Sequence, residues 1–179
     1  MGLTFPNLED DLRTRVFMLE ELDRDLPQNE VYRSARLTEV GWQAWPGLLR
    51  EALERYEPKW LELQSKQTGY WLSHETSRRG GKEYPKAVPF DAAQTLAEGQ
   101  FVRYYLRAVS RRAMDDGHGL KVVRLKQVRQ PRSMSVQLLG TLVDPAQLWE
   151  DLRRNQGIDP FLGIPQGPNS GLGVVIVPN

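Results

Sequence analysis

One stretch constrains the fold of this 179-residue chain more than any other. From Asp91 the sequence DAAQTLAEGQFVRYYLRAVSRRAM runs without a proline to a turn at Asp116-Gly117. Leu96, Ala97, Phe101, Tyr104, Tyr105, Ala108, Val109 and Ala113 recur at helical spacing on one broad face, and Val102 and Leu106 widen it. A helix this apolar has to be largely buried, so other elements must wrap around it. Asp91 is its expected N-cap. Gly99, in the middle, costs about 1 kcal/mol against alanine; a close helix crossing or a kink would account for it.

The polar side of the same helix carries Arg103, Arg107 and Arg111 at intervals of four. Like charges at this spacing repel by a few tenths of a kcal/mol per pair, so the ridge needs compensation. Acids of the first helix, Asp10, Asp11, Glu20, Glu21 and Asp23, are present in nearly matching number and would supply it internally. The external alternative is an anionic partner, with Arg112, Lys121, Arg124, Lys126, Arg129 and Arg132 extending the surface. In that reading Arg78, Arg79, Lys82 and Lys86 are added from a loop.

The remaining elements predict an α+β fold: a predominantly helical N-terminal two-thirds, a small C-terminal β-sheet and one further short helix. An amphipathic helix is expected from an Asn7 N-cap to Pro27, with Leu8, Leu12, Val16, Leu19, Leu22 and Leu26 as its apolar stripe. Pro46 and Pro58 each suit a first helical position, which predicts helices over 46–56 and 58–66. Trp42, Trp45 and Trp60 cluster there as core material. Residues 73–90, SHETSRRGGKEYPKAVPF, break every periodicity and are expected to form a long, mobile, basic loop on a single domain of residues 1–179. A strand is expected over 120–128, followed by a turn at 130–132. Residues 133–142 fit either a second strand or an irregular crossover. Asp144-Pro145 opens a short helix with Leu148, Trp149 and Leu152 that ends at Gln156-Gly157, and a Gly/Pro-rich turn region leads to a buried strand at 174–177.

Composition removes whole classes of chemistry. There are no cysteines, hence no disulfides, thiol nucleophiles or thiolate metal sites. Two histidines cannot build a histidine-rich metal site, so neither a metal nor a cofactor is expected. The first residues lack the apolar core of a secretory signal, and no run approaches the roughly 20 apolar residues of a membrane helix. A cytoplasmic protein with no membrane partner is the expectation.

Catalytic templates are nearly silent. Gly163 to Gly171 lacks the lysine of a phosphate loop and precedes a strand where a helix is required. His74-Glu75 begins a zinc-helix motif, but Arg78 stands where its second histidine belongs. The carboxylate clusters Glu9/Asp10/Asp11, Asp115/Asp116 and Glu150/Asp151 are mostly explained by helix ends and turns. His118 sits in an Asp-Asp-Gly-His-Gly turn as a conceivable acid/base.

Charge is more informative. The formal total of +1 hides eight acids and three arginines over 7–30, and nine cations against two acids over 103–132. The expectation is therefore a non-enzymatic binding or assembly subunit, able to self-associate. Its basic surface, Arg103, Arg107, Arg111, Arg112, Lys121, Arg124, Lys126, Arg78, Arg79 and Lys82, would meet a nucleic acid or an acidic protein. The alternative is an enzyme on a phosphate-containing substrate, in which Arg107 or Arg111 clamps the anion beside Asp115, Asp116 or His118.

Overall fold

The computed structural model describes residues 2–9, 12–127, 133–155 and 171–178. The turns expected at 130–132 and 156–170, and Asp10, Asp11, Arg129 and Arg132, lie outside these residues. The architecture is α+β, with helices filling most of the chain and a small sheet and short helix near its end. Two compact units are formed, one from Val31–Phe101 and one from Met1–Glu30 with Val102–Asn179.

The elements in chain order are α1 (Pro6–Glu9), α2 (Arg13–Asp25), α3 (Glu39–Arg55), α4 (Pro58–Ser65), β1 (His74–Arg79), β2 (Lys82–Ala87), α5 (Ala92–Asp116), β3 (Gly119–Arg124), α6 (Ser133–Gln137), β4 (Leu142–Val143), α7 (Pro145–Arg154) and β5 (Leu172–Val177). The helix expected after Asp91 is α5; Leu96, Ala97, Phe101, Tyr104, Tyr105, Ala108, Val109 and Ala113 of its predicted core face are buried, as is Leu106, while Val102 is half-buried. A Cβ at Gly99 would meet nothing within 4 Å, so among the described residues no close crossing demands that glycine.

In the Val31–Phe101 unit, α3 starts seven residues before Pro46, which lies inside the helix instead of opening it. Thr38 supplies the start: its hydroxyl accepts from the Gly41 amide (3.1 Å) and donates to the Gly69 carbonyl (2.6 Å). The buried stripe Gly41, Trp45, Leu49, Ala52 and Leu53 runs straight through the proline, so packing outweighs the missing donor. Gly41 is required there, since a Cβ would come within 2.2 Å of the Tyr70 carbonyl oxygen. Pro58 does open α4.

Residues 73–90 form no irregular loop. β1 and β2 pair antiparallel in register from His74↔Ala87 to Arg79↔Lys82, closed by Gly80 (φ 58°) and Gly81 (φ 77°). Two successive positive φ angles make the two-residue turn whose twist matches a hairpin, and glycine reaches it without strain. Val88 donates to the Ser73 carbonyl (3.1 Å), which extends the ladder by one rung. Alternation of hydrogen-bonded and non-bonded pairs from that rung places Pro85, opposite Thr76, where no ladder donor is lost.

In the other unit, β3 lies between β4 and β5, all antiparallel. β3 and β5 run in register from Gly119↔Val177 to Arg124↔Leu172, burying Leu120, Val122, Leu172 and Val174. Residues 133–142, ambiguous by periodicity, form α6 and a turn leading to β4. α7 begins as expected, with the Asp144 carboxylate accepting from the Gln147 amide (2.8 Å). α2 is rotated from the expected phase. It buries Thr14, Met18, Glu21, Leu22 and Asp25, while Leu12 is 78% and Val16 54% exposed.

Candidate functional site

That rotation of α2 follows from the arginines of α5. Arg107 is 3% exposed and grips both oxygens of Asp25 (2.6 and 3.1 Å), with its Nε 3.2 Å from Glu21. Arg111 pairs with Glu20 (2.8 Å) and Glu21 (3.4 Å) and lies over the Phe17 ring at 4.6 Å. Arg153 of α7 reaches Glu21 (3.1 Å), Asp25 (3.3 Å) and Glu30 (3.0 Å). Trp149 Nε1 donates to Glu21 (3.1 Å) and the Tyr104 hydroxyl to Asp25 (2.8 Å). Arg103 donates to the carbonyls of Leu152 (2.7 Å) and Asn155, and Arg112 to Thr14 Oγ1 (2.6 Å) and the Asn7 carbonyl (3.2 Å).

Arg107 and Arg111 are thus neutralised internally, and Arg103 is held by backbone carbonyls. Arg103, Arg107 and Arg112 are buried and Arg111 is partly so, which corrects the expectation that they present a basic surface to a partner. All four oxygens of Glu21 and Asp25 already have two cationic or N–H/O–H neighbours each, so neither carboxylate has a free site at which to take a substrate proton. Burial, reinforced by the Asp25 charge, pushes the Tyr104 hydroxyl up and keeps it a neutral donor. Burial would lower the Arg107 pKa, but Asp25 and Glu21 more than offset it and hold the guanidinium charged. Asp116 is paired with Arg13 (3.0 Å), which holds its carboxyl below the usual value. The convergence of Arg107 or Arg111 with Asp115, Asp116 or His118 that a phosphate-handling enzyme would need is not formed by these contacts. Asp25, Glu30 and Arg153 were missed in the sequence. The signal was present, since Met18, Glu21, Leu22 and Asp25 follow one another in helical steps of three, one and three.

The other expected cations divide between the two units. Lys121 is exposed on β3, while Arg124 and Lys126 are half-buried. Arg78, Arg79 and Lys82 stand on the hairpin, where every residue of β2 is exposed. On one hairpin face Arg78 pairs with Glu83. On the other, cross-strand pairs set Glu75 against Lys86, Ser77 against Tyr84 and Arg79 against Lys82. Glu75 is taken by Arg36 (2.6 and 3.2 Å), which holds its carboxyl below the ordinary range and anchors the hairpin's base. Arg79 and Lys82 face each other at the tip, and among the described residues neither they nor Lys86 form an ion pair. Like charges directly opposite destabilise a hairpin, so this face is built against its own stability.

At the foot of the hairpin lies an open hollow of about 350 Å³, lined by Lys66, Trp71, Leu72, Ser73, Val88, Pro89, Phe90, Ala92 and Ala93. The Phe90 ring is 96% exposed and Leu72 41%. Trp71 is fixed by its Nε1 donating to the Ser65 carbonyl (2.7 Å). Lys66 is held by Glu62, which Lys59 also contacts (2.9 Å).

Among the described residues no group of three or more His, Asp or Glu side chains could hold a metal ion, and no helix is long and apolar enough to cross a membrane. No family model, curated protein or solved structure matches the chain.

Proposed function

We propose that this protein is a non-enzymatic binding or assembly subunit that meets an anionic partner, a nucleic acid or an acidic protein surface, through its cationic β-hairpin. The observation that carries this reading is the tip pair: Arg79 directly opposite Lys82, exposed, with no acid on the same face nearer than Glu75, which is already held by Arg36. Arg107 and Arg111 of α5 have carboxylate partners inside the chain, and Arg78 on the hairpin has Glu83, whereas Arg79 and Lys82 at the tip face each other. An anion laid along the exposed face would relieve the repulsion, and the ion pair at Arg36–Glu75 gives the arm a fixed root from which to present it. The lack of a membrane-crossing helix among the described residues fits a cytoplasmic site of action, which belongs to the same proposal.

The test is binding of labelled oligonucleotides and of polyglutamate at low salt, by wild type and by the triple variant Arg79→Ala, Lys82→Ala, Lys86→Ala. The side chains removed are solvent-exposed, so the variant should fold normally. Binding by wild type that weakens steeply with salt and is much weaker in the variant supports the reading. Equal binding by both proteins, or none by wild type, overturns it.

A further inference from the structure

Resting on the hairpin reading, a more specific partner can be named. Along the exposed face of β2 the order is Lys82, Tyr84, Lys86, and the extra rung at Ser73–Val88 carries the same alternation to Val88 in the wall of the hollow. Residues two apart on a strand advance about 7 Å, so the row runs roughly 20 Å from tip to hollow. Cation, aromatic and cation in succession, ending beside an exposed Phe90, match a polymer that alternates phosphates with flat bases. The hollow's volume lies at the lower end of the range that holds small molecules, which gives room for one base.

We infer that the hairpin's partner is a single-stranded nucleic acid, its phosphates running along Arg79, Lys82 and Lys86, with one base stacked on Phe90 at the mouth of the hollow. A duplex offers cations the same phosphates but keeps its bases paired and stacked, leaving Phe90 unused. An acidic protein would need an apolar interface core to exclude water. Between the tip and Val88 this face has only one aromatic ring among charged and hydroxyl side chains. Lys66 is already engaged by Glu62, so the hollow favours the base and the hairpin the phosphates.

The experiment measures affinities for an oligothymidylate, a duplex of equal length and polyglutamate, using wild type, Phe90→Ala, Phe90→Trp and the triple hairpin variant. Phe90 is exposed enough that either substitution should leave folding intact. The expected pattern is preference for the single strand, a loss on the order of tenfold in Phe90→Ala for the single strand alone, and retained affinity in Phe90→Trp. Equal single-strand affinity in Phe90→Ala and wild type, preference for the duplex, or a Phe90-dependent interaction with polyglutamate would each overturn this inference. If the hairpin variant loses binding while Phe90→Ala does not, the hairpin reading survives and the base-stacking inference fails. If the hairpin variant binds normally, the hairpin reading itself fails.

Discussion

Replacing Arg107 with methionine keeps an apolar stem of similar length in the helix face but removes the charge from the centre of the ion network. Asp25 would lose two of its four donors, keeping the Tyr104 hydroxyl and Arg153, and Glu21 would lose one of four. Both carboxylates are buried, at 1% and 0% exposure, so water cannot replace the missing partner. Breaking a buried pair in this way costs about 3–5 kcal/mol, against a total stability of roughly 5–15 kcal/mol. Urea denaturation followed by circular dichroism should therefore show a midpoint displaced far to low denaturant, or a chain unfolded without denaturant. Arg111→Met, at a side chain 21% exposed with Glu20 in solvent, should cost only about 1 kcal/mol. Adding Asp25→Leu to Arg107→Met should recover part of the loss, with a coupling on the order of 1–3 kcal/mol. A loss below about 1 kcal/mol in Arg107→Met would refute the claim that the arginine ridge serves the interior.

Other consequences follow from single positions. Gly99→Ala should stabilise the protein by up to about 1 kcal/mol, raising the melting temperature by a few degrees, because a methyl group there meets no neighbour; a destabilised variant would show that the glycine is needed for packing. Burial alone would push the Glu62 carboxyl up, but the hydrogen bonds and charges of Lys66 and Lys59 outweigh it and hold it below its ordinary 4.5. Its contribution is therefore complete above about pH 4.5 and is lost as the pH falls through the lower folded value. The stability difference between wild type and Glu62→Gln should shrink on acidification through that window, and a constant difference would contradict the assignment. Gly81→Val, forced to a φ of 77°, should unpair the hairpin tip, seen as faster amide exchange at the β1–β2 ladder with little change in the midpoint of global unfolding. Unchanged exchange would show that the turn tolerates a side chain.

How much of this was legible in the sequence differs by element, for physical reasons. The long helix could be read because its apolar face is broad enough to survive any choice of phase. α2 could not be phased, since its leucine stripe competes with a second stripe containing Glu21 and Asp25, and the winner depends on arginines some 80 residues away. Pro46 was misleading as a start signal because Thr38 caps the helix by contacts with Gly69, beyond the reach of local pattern. The hairpin escaped periodicity since its strands are polar on both faces. Gly80-Gly81 flanked by extended residues was nevertheless the recognisable turn signature. Of the candidate site, Arg79 and Lys82 were found from the charge pattern, whereas the opposition of their side chains required the register. Phe90 could not be singled out, because an aromatic residue before a helix is ordinarily buried.

Binding in this protein depends on which cations face outward, and the salt dependence of single-strand binding reads this most directly. For wild type, the logarithm of the association constant should fall linearly with the logarithm of salt concentration. The triple hairpin variant should lower the magnitude of that slope by about 2, as three lost phosphate contacts require, while Arg111→Ala leaves it unchanged. An unaltered slope in the hairpin variant, or a reduced one in Arg111→Ala, would contradict the account.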